Sequence, residues 1–145
     1  MARLLLVGCL LCCVFDLGFA NGSSRRVCTK QEAMAADKEA AYLRTWKEIH
    51  RSYQRYGHCD DGAIASGYTE SVVQNLTTRW NRLYELGGLL DKDPGFEAFV
   101  LKHISPTALT EDLQQIKVLA TKSCPGKAGD LCGKLAKAAE RALKP

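Results

Sequence analysis

Beyond its first twenty positions this 145-residue sequence has no long apolar run. Nothing there approaches the roughly 20 consecutive apolar residues that a membrane-spanning helix needs. Proline (four residues) and histidine (three) are scarce. The G-x-S-x-G, H-E-x-x-H and (beyond Ala20) C-x-x-C patterns are missing, which removes the usual signatures of serine hydrolases, zinc proteases and thioredoxin-like oxidoreductases. No alternating apolar–polar stretch favours a strand, and no repeat or low-complexity tract is present. Between Thr29 and Tyr56 there is neither glycine nor proline. That absence permits one long helix across the whole interval.

The N-terminus does carry an apolar run. Arg3 is followed by Leu4 to Phe15, and small residues at Gly18 and Ala20 precede the polar Asn21. This is the pattern of a cleavable signal peptide, residues 1–20, followed by a flexible leader, residues 21–28. Leu6-Val7-Gly8-Cys9 resembles a lipoprotein cleavage box, but a cut there would leave Leu10 to Phe15 exposed. Cleavage after Ala20 removes Cys9, Cys12 and Cys13 and leaves Cys28, Cys59, Cys124 and Cys132. An even set of cysteines in an exported chain is expected to form disulfides.

The remaining residues, 29–145, read as helices joined by short loops. Thr29-Lys30-Gln31-Glu32 is a capping box that starts the first one. Tyr42, Trp46, Ile49, Tyr53 and Tyr56 recur at steps of three and four, and Gly57 closes it. A second helix is expected from about Tyr68 to Leu86, with Val72, Val73, Leu76, Trp80, Leu83 and Leu86 inward. Its wet face would hold Gln74, Asn75, Thr78, Arg79, Arg82 and Glu85. Pro94 opens a short third helix with Phe96, Phe99, Val100 and Ile104. A fourth, with Leu109, Leu113, Ile116 and Ala120 on one face, ends near Lys122. A fifth runs from about Asp130 to Leu143. The expected fold is all-α, a single disulfide-stapled bundle of four to five helices.

One long first helix would place Cys28 and Cys59 roughly 40 Å apart at 1.5 Å per residue. Disulfide partners need Cα atoms within about 7 Å. The sequence therefore predicts bonds from each end of that helix to the Cys124–Cys132 segment; a local Cys124–Cys132 bond with Cys28 and Cys59 left as free thiols is the alternative.

Several groups of residues bear on function. His58-Cys59-Asp60-Asp61, with His50 upstream, holds the densest set of metal-ligand types, but turn and half-cystine roles account for these residues and no metal is expected. Placing Gly62 at the sixth position of a calcium loop puts Gly57, Cys59 and Tyr68 where ligands belong, so that motif fails. The aromatic stripe Tyr42, Trp46, Tyr53 and Tyr56, with Trp80 and Tyr84, reads as core that can open into an apolar pocket. The candidate binding surface is Tyr53, Tyr56, His58, Asp60 and Asp61, in the cysteine-flanked loop and the aromatic helix end beside it. Asn21-Gly22-Ser23 and Asn75-Leu76-Thr77 are N-glycosylation sequons in a eukaryotic source.

Charge is unevenly placed. The chain has 20 basic and 16 acidic residues. Residues 117–145 contain Lys117, Lys122, Lys127, Lys134, Lys137, Arg141 and Lys144 against only Asp130 and Glu140. The last helix is thus cationic and amphipathic, with an apolar face built mostly of alanine. The order Trp46, Tyr53, Cys59, followed by a helix with Arg79 and Leu83, resembles the small exported lysozyme-inhibitor proteins of bacteria. The resemblance implies a binding role and assigns no functional residue. The expectation is a secreted, non-enzymatic binding protein for a protein partner or small apolar ligand, with no catalytic residue, cofactor or nucleic acid. The alternative is a cationic host-defence or membrane-active protein that touches membrane surfaces through its last helix.

Overall fold

A computed structural model describes residues 26–144. The expected signal peptide, its cleavage point and the Asn21 sequon lie outside these residues. The described chain is all-helical. It contains α1 (Lys30–Ala40), α2 (Trp46–Tyr56), α3 (Gly62–Thr78), α4 (Leu83–Leu90), α5 (Pro94–Lys102), α6 (Thr110–Lys122) and α7 (Gly129–Ala142). Short 3-10 turns occupy Gly57–Cys59 and Trp80–Arg82. Seven helices replace the four to five expected, because two of the anticipated long ones are broken.

The first break separates α1 from α2. Both helices begin with a complete capping box, Thr29/Glu32 and Thr45/Glu48. The second box is also a T-x-x-E sequence, and it restarts the helix without any help from glycine or proline. The corner ahead of it exposes backbone groups that α3 satisfies. Ser71 Oγ donates to the Ala40 carbonyl at 2.6 Å and accepts from the Leu43 amide at 3.1 Å. Asn75 Nδ2 donates to the Leu43 carbonyl at 3.2 Å, and an Arg79 guanidinium nitrogen to that of Arg44 at 2.9 Å. Ser71 and Asn75 share one face of α3 and Arg79 follows at its C-cap, so one line of side chains holds the corner. Gly67, one turn earlier, lets α3 approach: a Cβ there would lie 2.9 Å from Ala40 Cβ and 3.0 Å from the Ala41 nitrogen.

This corner overturns two expectations. With α1 and α2 folded back, Cys28 and Cys59 lie 5.0 Å apart at Cα and form a disulfide. Cys124 and Cys132 form a second among the described residues, at a Cα separation of 6.0 Å. The long-range bonds to the Cys124–Cys132 segment do not exist, since they depended on an unbroken first helix. Asn75, expected on a wet face, is 1% exposed. Its amide bonds backbone carbonyls of the α1–α2 corner and of its own helix.

The second break is at Arg79, whose φ of −130° and ψ of 34° leave the helical region. The following turn anchors Trp80, whose indole donates to the Ser123 carbonyl at 2.8 Å. α4 then runs through Gly87 and Gly88. The core is continuous, with Trp46, Ile49, Tyr68, Leu76, Phe96 and Leu135 each almost fully buried. α3 is its central element and packs on α1, α2 and α6, while α7 packs chiefly along α6. Tyr42, Tyr84 and Leu109, expected on inward faces, are exposed instead. Among the described residues, no helix is long and apolar enough to cross a membrane.

Candidate functional site

The 3-10 turn that follows α2 carries Cys59 inward and delivers Asp60 to α5. Asp60 Oδ2 accepts from Lys102 Nζ at 2.7 Å and faces His103 Nε2 at 3.1 Å. On the other side of the ring, His103 Nδ1 lies 3.1 Å from Thr69 Oγ1. His103 is 1% and Thr69 6% exposed. Burial alone raises the Asp60 carboxyl, but the hydrogen bonds from His103 and Lys102 outweigh it and hold the group below its ordinary value. With a carboxylate at Nε2, that nitrogen carries the proton, and in the neutral ring Nδ1 accepts from Thr69. The order carboxylate–imidazole–hydroxyl matches that of a hydrolase relay. Here the hydroxyl is buried in the middle of α3, where backbone amides are already engaged along the helix and provide no pair of oxyanion donors. The chain instead ties the Asp60 loop, α3 and α5 together.

Aromatic rings surround this relay. Tyr68 meets Phe99 edge-on with centroids 5.0 Å apart, and Phe99 meets His103 at 4.4 Å. Tyr53 packs on Phe96 and Phe99. Burial pushes the Tyr68 phenol up to about 12, and its hydroxyl pairs with Ser52 Oγ at 2.8 Å.

The five residues expected to form a binding surface do not act as one. Tyr53 and His58 line a shallow, open basin together with Arg26, Gln54, Gly57 and Asp93. Asp60 turns inward as described, and Asp61 caps α3 by accepting from the Gly62 amide at 2.8 Å. The Tyr56 ring has the Arg55 guanidinium 5.8 Å from its centre. The metal-ligand types also separate. His50 Nε2 contacts Asp93 Oδ2 at 2.9 Å, and His58 Nε2 lies 3.4 Å from Glu32 Oε2. Glu32, His58 and Cys59 do gather within ligand distance of one another. Cys59 is bonded to Cys28 and offers no thiolate, which leaves two ligands where a structural zinc takes four.

A more enclosed concavity lies elsewhere. One face of α3, comprising Ser66, Thr69, Glu70, Val73, Gln74, Thr77 and Thr78, forms one wall of an open cleft of about 490 Å³. Thr107, Ala108, Leu109 and Asp112, leading into α6 and its first turn, form the other. Gln115 Nε2 donates to the Thr77 carbonyl at 3.0 Å and pins α6 to α3 at one end. The cleft joins segments about 30 residues apart in the chain, so reasoning from local sequence did not find it. A signal was present in the hydroxyl-bearing and acidic residues that recur along α3 at helical spacing. No protein-family model matches the chain, and no curated protein or solved structure matches it.

Proposed function

We propose that this chain is a secreted, non-enzymatic binding protein whose ligand site is the cleft between α3 and residues 107–112. The observation that carries the reading is the cleft itself. Its volume of about 490 Å³ lies within the range of small-molecule sites, and an apolar floor at Val73 and lip at Leu109 sit among polar groups that can orient a ligand. Leu109 is 69% exposed, a large side chain left uncovered at the rim. Secretion is supported by the N-terminal signal pattern, and two disulfides suit an oxidising compartment.

The rival reading, membrane action through α7, has less support. Leu131, Leu135, Ala138, Ala139 and Ala142 are buried in the body of the protein, so the apolar face of α7 is already occupied. Lys134 Nζ also contacts Glu97 of α5 at 3.0 Å. A membrane-active α7 would first have to undock.

The test is a fragment screen on the oxidised full chain, followed by amide-resolved NMR. Small ligands are expected to shift resonances of α3 and residues 107–112. Fragments that map only to the Tyr53/His58 basin, or liposome leakage by the intact protein without fragment binding, would overturn the assignment.

A further inference from the structure

The chemistry of the cleft wall narrows its ligand, given that the cleft is the binding site. A hydroxyl has one proton to donate and lone pairs to accept with. On α3 those protons are committed elsewhere. Ser66 Oγ donates to the Gly62 carbonyl at 3.3 Å, Thr77 Oγ1 to Val73 at 3.0 Å and Thr78 Oγ1 to Gln74 at 2.7 Å. These are back-bonds to the preceding turn of the helix. In the neutral ring of His103, whose Nε2 faces the Asp60 carboxylate, Thr69 donates to Nδ1. What these four hydroxyls present to a ligand is acceptor lone pairs.

Two carboxylates share the cleft, Glu70 on α3 and Asp112 in the first turn of α6. Neither has a hydrogen-bond or ion-pair partner among the described residues, and no lysine, arginine or histidine lines the cleft. Gln74 supplies the one side-chain N–H donor on the α3 wall, its carbonyl oxygen being taken by Arg44. In a protein of net charge +4, this concavity is a local exception.

We infer that the ligand of this cleft is an alkylammonium group with a short apolar body, its N–H donors facing the hydroxyls and carboxylates and its carbons resting on Val73 and Leu109. A free organic amine and the lysine side chain of a partner polypeptide share this chemistry. An ammonium supplies three donors and a charge, where a neutral alcohol supplies one donor and none.

The experiment is an NMR titration of the oxidised full chain at neutral pH with phenethylamine, phenethyl alcohol and Nα-acetyl-lysine methylamide. The amine is expected to bind at α3 and residues 107–112 at least about tenfold more tightly than the alcohol. Added salt should reduce that preference, because exposed charge pairs are screened. Glu70→Gln together with Asp112→Asn is expected to abolish the preference while alcohol binding persists. Tighter binding by the lysine derivative than by phenethylamine supports the inference with a polypeptide source, and the reverse order supports it with a free amine. Equal binding of amine and alcohol overturns the inference but leaves the cleft as a site. Failure of all three probes at these resonances overturns both.

Discussion

Gly67 and Ala40 meet where α3 crosses the end of α1, and a methyl group on Gly67 would stand 2.9 Å from that of Ala40. The nearest obstacles include the Ala41 backbone nitrogen, so relief would require the helices to part. Gly67→Ala is therefore expected to destabilise the fold by about 1–3 kcal/mol, the cost of overpacking, although alanine is the better helix former at an open site. Thermal or urea unfolding of the variant measures this, and a neutral or stabilising result would show that the contact relaxes freely.

Asn75 gives the corner its second attachment. Asn75→Ala removes the donor to the Leu43 carbonyl, and the cost should be about 1–3 kcal/mol, as for a buried group left without its partner. The same burial bears on the sequon. Protein secreted from a glycosylating cell should carry no glycan at Asn75 in its folded form, which intact mass before and after glycosidase treatment will reveal.

The all-helical character was legible because the apolar residues step by three and four throughout. The starts of α1 and α5 were marked by Thr29 and Pro94, and Cys124-Pro125-Gly126 lies just past the end of α6. The α1–α2 corner was not legible, because its cause lies elsewhere in the chain. Thr45 and Glu48 can begin a helix, but Ser71, Asn75 and Arg79 must be beside residues 40–44 to make stopping there favourable. Periodicity also reads polar residues as wet, and so it assigns the wrong surroundings to a buried amide that serves another segment's backbone. The candidate loop was half legible. Tyr53 and His58 share a basin, but Asp60 and Asp61 are spent on His103, Lys102 and the start of α3.

The pairing of cysteines can be checked directly. Non-reducing peptide mapping should return Cys28 with Cys59 and Cys124 with Cys132. Cys28→Ser with Cys59→Ser should cost about 2–5 kcal/mol, as removal of a native disulfide from a small secreted domain typically does. A peptide joining Cys28 or Cys59 to either C-terminal cysteine would contradict the fold described here.

Acid should loosen the start of α1. The Thr29 hydroxyl and amide, with His58 and Arg26, hold the Glu32 carboxyl down to about 2, against an ordinary 4.5. A depressed carboxylate stabilises the fold above its unfolded value, and that contribution is lost as pH falls through the folded one. The melting temperature should therefore decline between about pH 4.5 and pH 2, with Asp60, also depressed, adding to the loss below its ordinary 3.8. Glu32→Gln should start less stable at neutral pH and show a shallower acid decline. An unchanged slope in that variant would remove Glu32 from this account.

The two disulfide loops also have an order. Residues 28–59 close on themselves before the segment 124–132 begins, and neither loop encloses or crosses the other. The four cysteines of the described residues allow three pairings, and this is the one in which the first bonds the second and the third the fourth. A polypeptide entering an oxidising compartment from its N-terminus can therefore complete its bonds in the order in which it arrives. Native pairing then requires no early bond to be reopened for a late cysteine.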